Sequence, residues 1–218
     1  DTVINKNKLK LSYNIKTDSL YRINHIAYQI DDWMINKLIM QDSVYSLLSE
    51  GMPFDVVALD NERQRITKLL QNNGYFKFNK DFIVYQADTV RNTFEVDLTM
   101  KLLPYRARKE DLPVSHKQYS IRNVNFITID DITRFDNDYQ SYDSLFYKGL
   151  NIYYKDNVYI RPNVLANFNY INPGTLFSEQ SVQNTYASMG RLRALKYTNV
   201  RFNEVMGKDS MLLDANVL

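Results

Sequence analysis

One pattern of apolar spacing occurs twice in this chain, and any fold must satisfy both copies. Tyr21-Arg22-Ile23-Asn24-His25-Ile26 returns 98 positions later as Tyr119-Ser120-Ile121-Arg122-Asn123-Val124. A repeat outranks any single motif, because each copy has to build the same supersecondary unit. In the first copy Leu20 to Ile30 reads as a strand. Its apolar face changes from Tyr21 and Ile23 to Ile26, Tyr28 and Ile30, so a bulge or twist is expected after Ile23. From Trp33 the spacing of Met40, Val44, Leu47 and Leu48 is helical, with Gly51 as the stop. Asp55 then caps a second helix carrying Val56, Leu59, Ile66, Leu69 and Leu70, closed by Asn73-Gly74, with Glu62, Arg63 and Lys68 at its polar positions. Strands over Tyr75 to Gln86 and Thr93 to Leu103 complete the order β-α-α-β-β.

The second copy follows the same order. Pro173-Gly174-Thr175-Leu176-Phe177 echoes Gly51-Met52-Pro53-Phe54, and Ser178 caps a helix with Val182, Tyr186, Met189, Leu192 and Leu195 in register. Strands are expected over Tyr197 to Val205 and Met211 to Leu218. The span from Tyr21 to Gly51 is 30 residues and that from Tyr119 to Gly174 is 55, so the second copy holds an insertion of 25. Its place is Asp130 to Asn157, and Leu150 to Tyr154 with Val158 to Arg161 reads as a hairpin around Lys155-Asp156-Asn157. Pro162 then opens a helix with Val164, Leu165 and Phe168 inward. The insertion is not needed to complete five elements, so it is expected to be dispensable for folding. Residues 20–104 and 118–218 form two units, joined by a polar linker at 105–117. Phe76, Phe94 and Val96, with counterparts Tyr197, Leu213 and Val217, are expected beneath the helices.

Composition removes several function classes. Cysteine is absent, which excludes disulfides, thiolate metal sites and cysteine nucleophiles. The two histidines stand far apart; His25 is read as a partly buried strand residue and His116 as an exposed linker residue, neither catalytic. The net charge of +2 offers no bulk field for nucleic acid. No run approaches the ~18 apolar residues of a spanning helix, and residues 1–16 carry no signal h-region. Asp130, Asp131, Asp136, Asp138 and Asp143 suggest Ca²⁺, but the run lacks the loop glycine and places Tyr147 where a bidentate Glu belongs, so a solvated insertion is preferred. Glu95 and Asp97 face one side of a strand and are explained by a solvated sheet face. Six glycines at these positions spell no phosphate loop. No catalytic, cofactor or metal residue is assigned. The tyrosines Tyr139, Tyr142, Tyr147, Tyr153, Tyr154 and Tyr159 offer either a contact surface or hairpin packing.

Gly51-Met52-Pro53-Phe54, Leu59-Asp60-Asn61-Glu62-Arg63, Ile66, Leu69-Leu70 and Asn73-Gly74-Tyr75-Phe76 together resemble the polypeptide-transport-associated (POTRA) domain of the BamA/TamA family of bacterial outer-membrane proteins. The wording of this stretch, with the Asp- and Tyr-rich insertion, is most similar to Bacteroidetes members. Pro173 and Gly174 carry the motif into the second unit, which departs from it at Leu195-Lys196-Tyr197, where Gly-Tyr-Phe would stand, and at Gly190 within its helix. The resemblance implies an α+β fold of tandem units, each a small mixed three-stranded sheet with two helices on one face. Residues 1–19, where Leu9, Leu11, Tyr13 and Ile15 alternate, would be the last strand of a preceding truncated unit. It also implies a non-enzymatic periplasmic region in a Gram-negative cell, a signal peptide upstream and a membrane barrel downstream. Its partners would be unfolded outer-membrane proteins, accessory lipoproteins or periplasmic chaperones, and its own barrel, with no cofactor. The family's strand order leaves the unit's second strand at an edge, so Phe82, Ile83, Val84 and Tyr85 would meet an extended client by β-augmentation. Tyr142, Tyr147, Tyr153, Tyr154 and Tyr159 would meet a partner through the insertion. The alternatives are a two-partner-secretion POTRA region and a surface glycan-binding module.

Overall fold

In each copy the first and last strands pair in parallel, so the chain between them must cross over. The computed structural model describes residues 2–5, 8–10, 13–14, 19–91, 93–106, 110–128, 142–205 and 211–218. β1 (Thr2–Asn5) and β2 (Lys8–Lys10) form an antiparallel pair. Of the alternating row read at the start of the chain, Leu11 and Ile15 lie outside the described residues. The first repeat comprises β3 (Arg22–Gln29), α1 (Trp33–Gln41), α2 (Val56–Asn72), β4 (Ile83–Thr89) and β5 (Glu95–Leu102). β5 is central, parallel to β3 and antiparallel to β4. Leu98 and Met100 on β5 are buried against Ile35 and Ile39 of α1 and Leu59, Ile66 and Leu70 of α2, Val96 is buried in the same row, and Glu95 and Asp97 face solvent on the other side.

The second repeat comprises β6 (Ser120–Ile127), β7 (Asp143–Tyr147), β8 (Leu150–Tyr154), α3 (Pro162–Phe168), α4 (Glu179–Met189), β9 (Val200–Val205) and β10 (Leu212–Val217). Its sheet has the order β7-β8-β6-β10-β9, with β6 parallel to both β8 and β10. The α+β class with small mixed sheets is as expected, and the insertion adds two strands to the second sheet.

The repeat extends to single hydrogen bonds. The expected bulge is present: Asn24 is the extra residue between Ile23 and His25, and Arg122 is its equivalent in β6. Both side chains reach across to the central strand, Asn24 to Asp97 at 2.8 Å and Arg122 Nε to Asp214 at 2.8 Å. The Gly51 N–H donates to the Ile23 carbonyl and the Gly174 N–H to the Ile121 carbonyl, each at 2.7 Å. Both glycines have φ near +80°, a conformation that L side chains resist.

Several expectations need correction. The helix after Trp33 ends at Gln41, not near Gly51. Its inward residues are Ile35 and Ile39, and Val44 is 81 % exposed in a separate 3₁₀ turn. The reason is Asp42, which closes α1 and is held by Arg65. Phe94 is 54 % exposed, because β5 begins one residue later and Phe94 only edges the ring of Tyr21. Tyr197 is likewise exposed, since β9 begins at Val200. The hairpin of the insertion turns at Lys148-Gly149, whose positive φ values suit the twist of a two-residue turn, and Val158–Arg161 is not a strand. The insertion is not dispensable padding: Leu150 and Ile152 belong to the second core. His25 is exposed and bonded to Glu50, whereas half-buried His116 packs against Phe78 and Phe82, which reverses the sequence reading.

Glu62 is the largest departure, because a residue read as polar surface is 1 % exposed. Its carboxylate accepts from Arg65 at 2.8 and 2.9 Å, from the Leu47 N–H at 2.9 Å and from the Ser46 hydroxyl at 3.1 Å. Arg65 also pairs with Asp42. One buried carboxylate thus ties the end of α1 and the following loop to α2. In the second repeat the equivalent Thr185 is also buried and accepts the Tyr170 N–H at 3.0 Å. Burial pushes the Glu62 pKa up, but the Arg65 guanidinium and the Leu47 N–H outweigh it and hold the carboxyl below its ordinary value.

The turn after α2 joins the repeats. Asn72 Oδ1 accepts from the Gln180 N–H at 2.8 Å at the start of α4, and the Tyr119 N–H donates to the Gly74 carbonyl at 2.8 Å. Phe76 packs against Tyr119, Phe177 and Phe202 of the second core rather than its own. Lys77 pairs with Glu204 at 2.8 Å.

Three stability outcomes follow. Glu62→Ala leaves the Leu47 N–H without its acceptor and Arg65 with Asp42 as its one remaining carboxylate, and should cost about 3 kcal/mol in urea unfolding. With a native pKa below the unfolded one, the stabilisation of Glu62 is present at neutral pH and lost as pH falls through the native pKa, so Glu62→Gln should flatten the acid side of the stability curve. Gly74→Ala should destabilise more than Gly51→Ala. Both carry positive φ, worth about 1–2 kcal/mol, but a Cβ on Gly74 would sit 3.2 Å from Leu176 and 3.3 Å from Gln118, while one on Gly51 meets nothing within 4 Å.

Candidate partner-binding edge

β4 is built as an edge by its own approach. After Phe78, Asn79 accepts the Asp81 N–H and starts a 3₁₀ turn over Lys80–Phe82, which delivers the chain into the strand at Ile83. The Leu103 N–H donates to the Phe82 carbonyl and the Val90 N–H to the Glu95 carbonyl. Even-numbered residues therefore bond to β5, and the alternation of an antiparallel ladder turns the N–H and C=O of Ile83, Tyr85, Ala87 and Thr89 outward. No described residue pairs with them. These eight backbone donors and acceptors would be costly to bury without a partner strand.

Of the predicted edge residues, Ile83 is fully buried and Tyr85 half-buried, both on the helix side. Phe82 lies in the 3₁₀ turn against Phe78 and His116, and Val84 is half-buried on β4. Ala87 and Thr89 complete the edge and are exposed. Sequence reasoning stopped short of them because their side chains carry no apolar signal, and the edge is a property of backbone. Burial and the charge of Glu62 push the Tyr85 phenol well above its ordinary pKa, and its hydroxyl has no hydrogen-bond partner. Arg63 Nε and Thr67 Oγ1 on α2 are also buried without partners. Burial lowers the pKa of His116 at the start of the edge, although the Leu103 carbonyl, 2.9 Å away, opposes this.

β9, the counterpart of β4, is not equally open. Tyr186 stands eight residues after its helix cap, as Arg63 does, and its hydroxyl accepts the Val200 N–H at 2.8 Å. At the other end of β9 Glu204 is held by Lys77.

The tyrosines of the insertion do not form one surface. Tyr147 packs on the core, Tyr153 and Tyr154 are adjacent on β8 and so face opposite sides, and Tyr142 is half-buried. Tyr159 is 68 % exposed and lies outside the hairpin. Phe146, exposed on the outer strand β7, is an aromatic that sequence reading passed over. Tyr139 and the acidic run from Asp130 to Asp138 lie outside the described residues. Among the described residues no group of three His, Asp or Glu is placed to hold a metal ion, and no helix is long and apolar enough to cross a membrane.

No family model and no curated protein matches the sequence. Solved structures match it in fold. The chain is similar to POTRA domains 3–5 of BamA from Haemophilus influenzae, with a TM-score of 0.53 at 11 % identity over 90 % of this chain and 60 % of that one. It is similar to BamA from Haemophilus ducreyi lacking POTRA domains 1–3, with a TM-score of 0.60 at 12 % identity over 90 % of this chain and 29 % of that one. The chain spans less than two thirds of either structure. At these identities the likeness is one of fold, and the fold is that of POTRA domains.

The unpartnered hydroxyl gives a direct check on the geometry of this edge. Tyr85→Phe removes a buried group that satisfies nothing, so it should leave stability unchanged or raise it by about 1 kcal/mol in denaturant unfolding.

Proposed function

We propose that this chain is the non-enzymatic, periplasmic POTRA region of an outer-membrane protein assembly or translocation factor, and that it holds unfolded outer-membrane proteins by β-augmentation on β4. The observation that carries this reading is the unpaired outward row of Ile83, Tyr85, Ala87 and Thr89, together with a POTRA fold at both repeats. A client strand added there gains backbone hydrogen bonds whatever its side chains, which suits a factor that must handle many sequences weakly. Residues 20–104 and 118–218 are the two units, 105–117 their linker, and 1–19 the tail of a preceding unit. The wording of Gly51 to Phe76 favours a Bacteroidetes source, a Gram-negative cell with a downstream barrel. Accessory lipoproteins or periplasmic chaperones would meet the hairpin β7–β8, where Phe146 is exposed on the outer strand.

The absence of cysteine makes any introduced thiol unique. Ala87→Cys and Thr89→Cys should crosslink to an unfolded outer-membrane protein, whereas exposed Gln64→Cys and Lys68→Cys on α2 should not. Ala87→Pro deletes one outward N–H while sparing the ladder to β5, so it should cut crosslinking at Thr89→Cys with little loss of stability. Crosslinking should persist in 1 M salt, where the Debye length is about 3 Å and an electrostatic contact would fade. Equal yields from helix and strand, or loss with salt, would reject the reading.

A further inference from the structure

The repeats also differ along the outer edge of their first strands. In the second repeat that edge is full. Gly174 to Phe177 takes its first half, through the Gly174 N–H to Ile121 and the Ile121 N–H to Thr175, and β8 takes the second half in parallel from Val124 to Ile127. In the first repeat Gly51 to Phe54 takes the same first half, and no described residue takes the second. The Arg22 N–H points to β5 and the Ile23 N–H to Met52. The bulge at Asn24 resets the alternation, so Ile26 and Tyr28 present their N–H and C=O outward.

The platform matches the occupied one in shape. Ile26 and Tyr28 stand where Val124 and Phe126 stand, branched aliphatic for branched aliphatic and aromatic for aromatic. On the opposite face the match ends, because Ala27 replaces Asn125, which in the second repeat accepts from Asn151 of β8 at 2.9 Å. The chain around this edge is also unusually apolar at its surface. Trp33 follows the strand by four residues and is exposed, and so are Val44, Tyr45 and Leu47, which lead into Leu48 of the core against which Ile26 packs.

We propose that this free half-edge of β3 is a second strand-accepting site, separate from β4. Its partner is an extended segment of another protein, laid parallel to β3 and apolar at the two alternate positions that Leu150 and Ile152 occupy in β8. It has no need of the amide that Asn151 supplies. The second repeat fills this position with its own insertion, and the first leaves it for a partner.

The test uses the whole chain, ¹⁵N-labelled, with a synthetic peptide of residues 142–155 and the same peptide carrying Asn151→Ala. Both should slow amide exchange at Ile26 and Tyr28 by about tenfold, to the same extent, and leave Tyr85 and Ala87 unchanged. A nitroxide on Gln29→Cys should broaden the C-terminal residues of the peptide, as parallel pairing requires. Protection only at Tyr85 and Ala87, broadening at the N-terminal end of the peptide, or no protection at all would overturn the proposal. Protection of Ile26 and Tyr28 without peptide, rising with chain concentration, would overturn it in favour of a second copy as occupant.

Discussion

Everything in this chain hangs on the parallel pairing of the first and last strand of each repeat. Parallel neighbours cannot be joined by a hairpin, so α1 and α2, like α3 and α4, must lie in the crossover and cover the face of the sheet that carries the core. The remaining strand then has one place to go, antiparallel on the far side of the central strand, and it ends as an edge. Edges are where a small sheet is vulnerable to pairing with other chains, and they are also where it can recognise an extended polypeptide without reading its sequence. The function proposed for β4 is therefore a consequence of topology more than of any side chain.

The two repeats share one topology and differ in how their outer strands are paired. In the second β8 covers β6, Tyr186 takes the Val200 N–H, and the Asn72 to Lys77 turn of the first repeat supplies Phe76 to its core and a cap to α4, which leaves its edges at β7 and along the rest of β9. The first repeat makes these contacts with its turn while leaving both outer strands short of partners. Gly74 is central to this division, since its positive φ and the lack of a side chain let the turn approach Gln118 and Tyr119 closely.

The Glu62 network plays the matching role inside the first repeat. In the segment between α1 and α2 Leu48 is the buried apolar anchor, Val44, Tyr45 and Leu47 are exposed, and a buried carboxylate holding Leu47, Ser46 and Arg65 fixes the stretch before Leu48. Such a network gives a defined loop position at the expense of desolvated charge, and Thr185 shows that a neutral hydroxyl can do the same task where no arginine is paired.

The repeat, the helix caps at Asp55 and Ser178, the Pro162 helix start, the bulge after Ile23 and the alternation of Val96, Leu98 and Met100 were legible in the residues alone, because each is a local pattern with a fixed spacing. The polar face of α2 was not. A carboxylate at a helical position looks like solvent-facing surface until Arg65, Ser46 and Leu47 arrive from other parts of the chain. Phe94 and Tyr197 misled for the converse reason, since an aromatic in an alternating row is buried only if the strand extends that far. The hairpin of the insertion was placed one element late, because Lys148-Gly149 and Lys155-Asp156-Asn157 are both plausible turns and only pairing of β8 with β6 selects the first. Most of all, edges cannot be seen in sequence. Whether the N–H of Tyr85 or of Val200 is free depends on what other parts of the chain bring beside it, and hydrogen bonds between distant strands leave no local spacing to read.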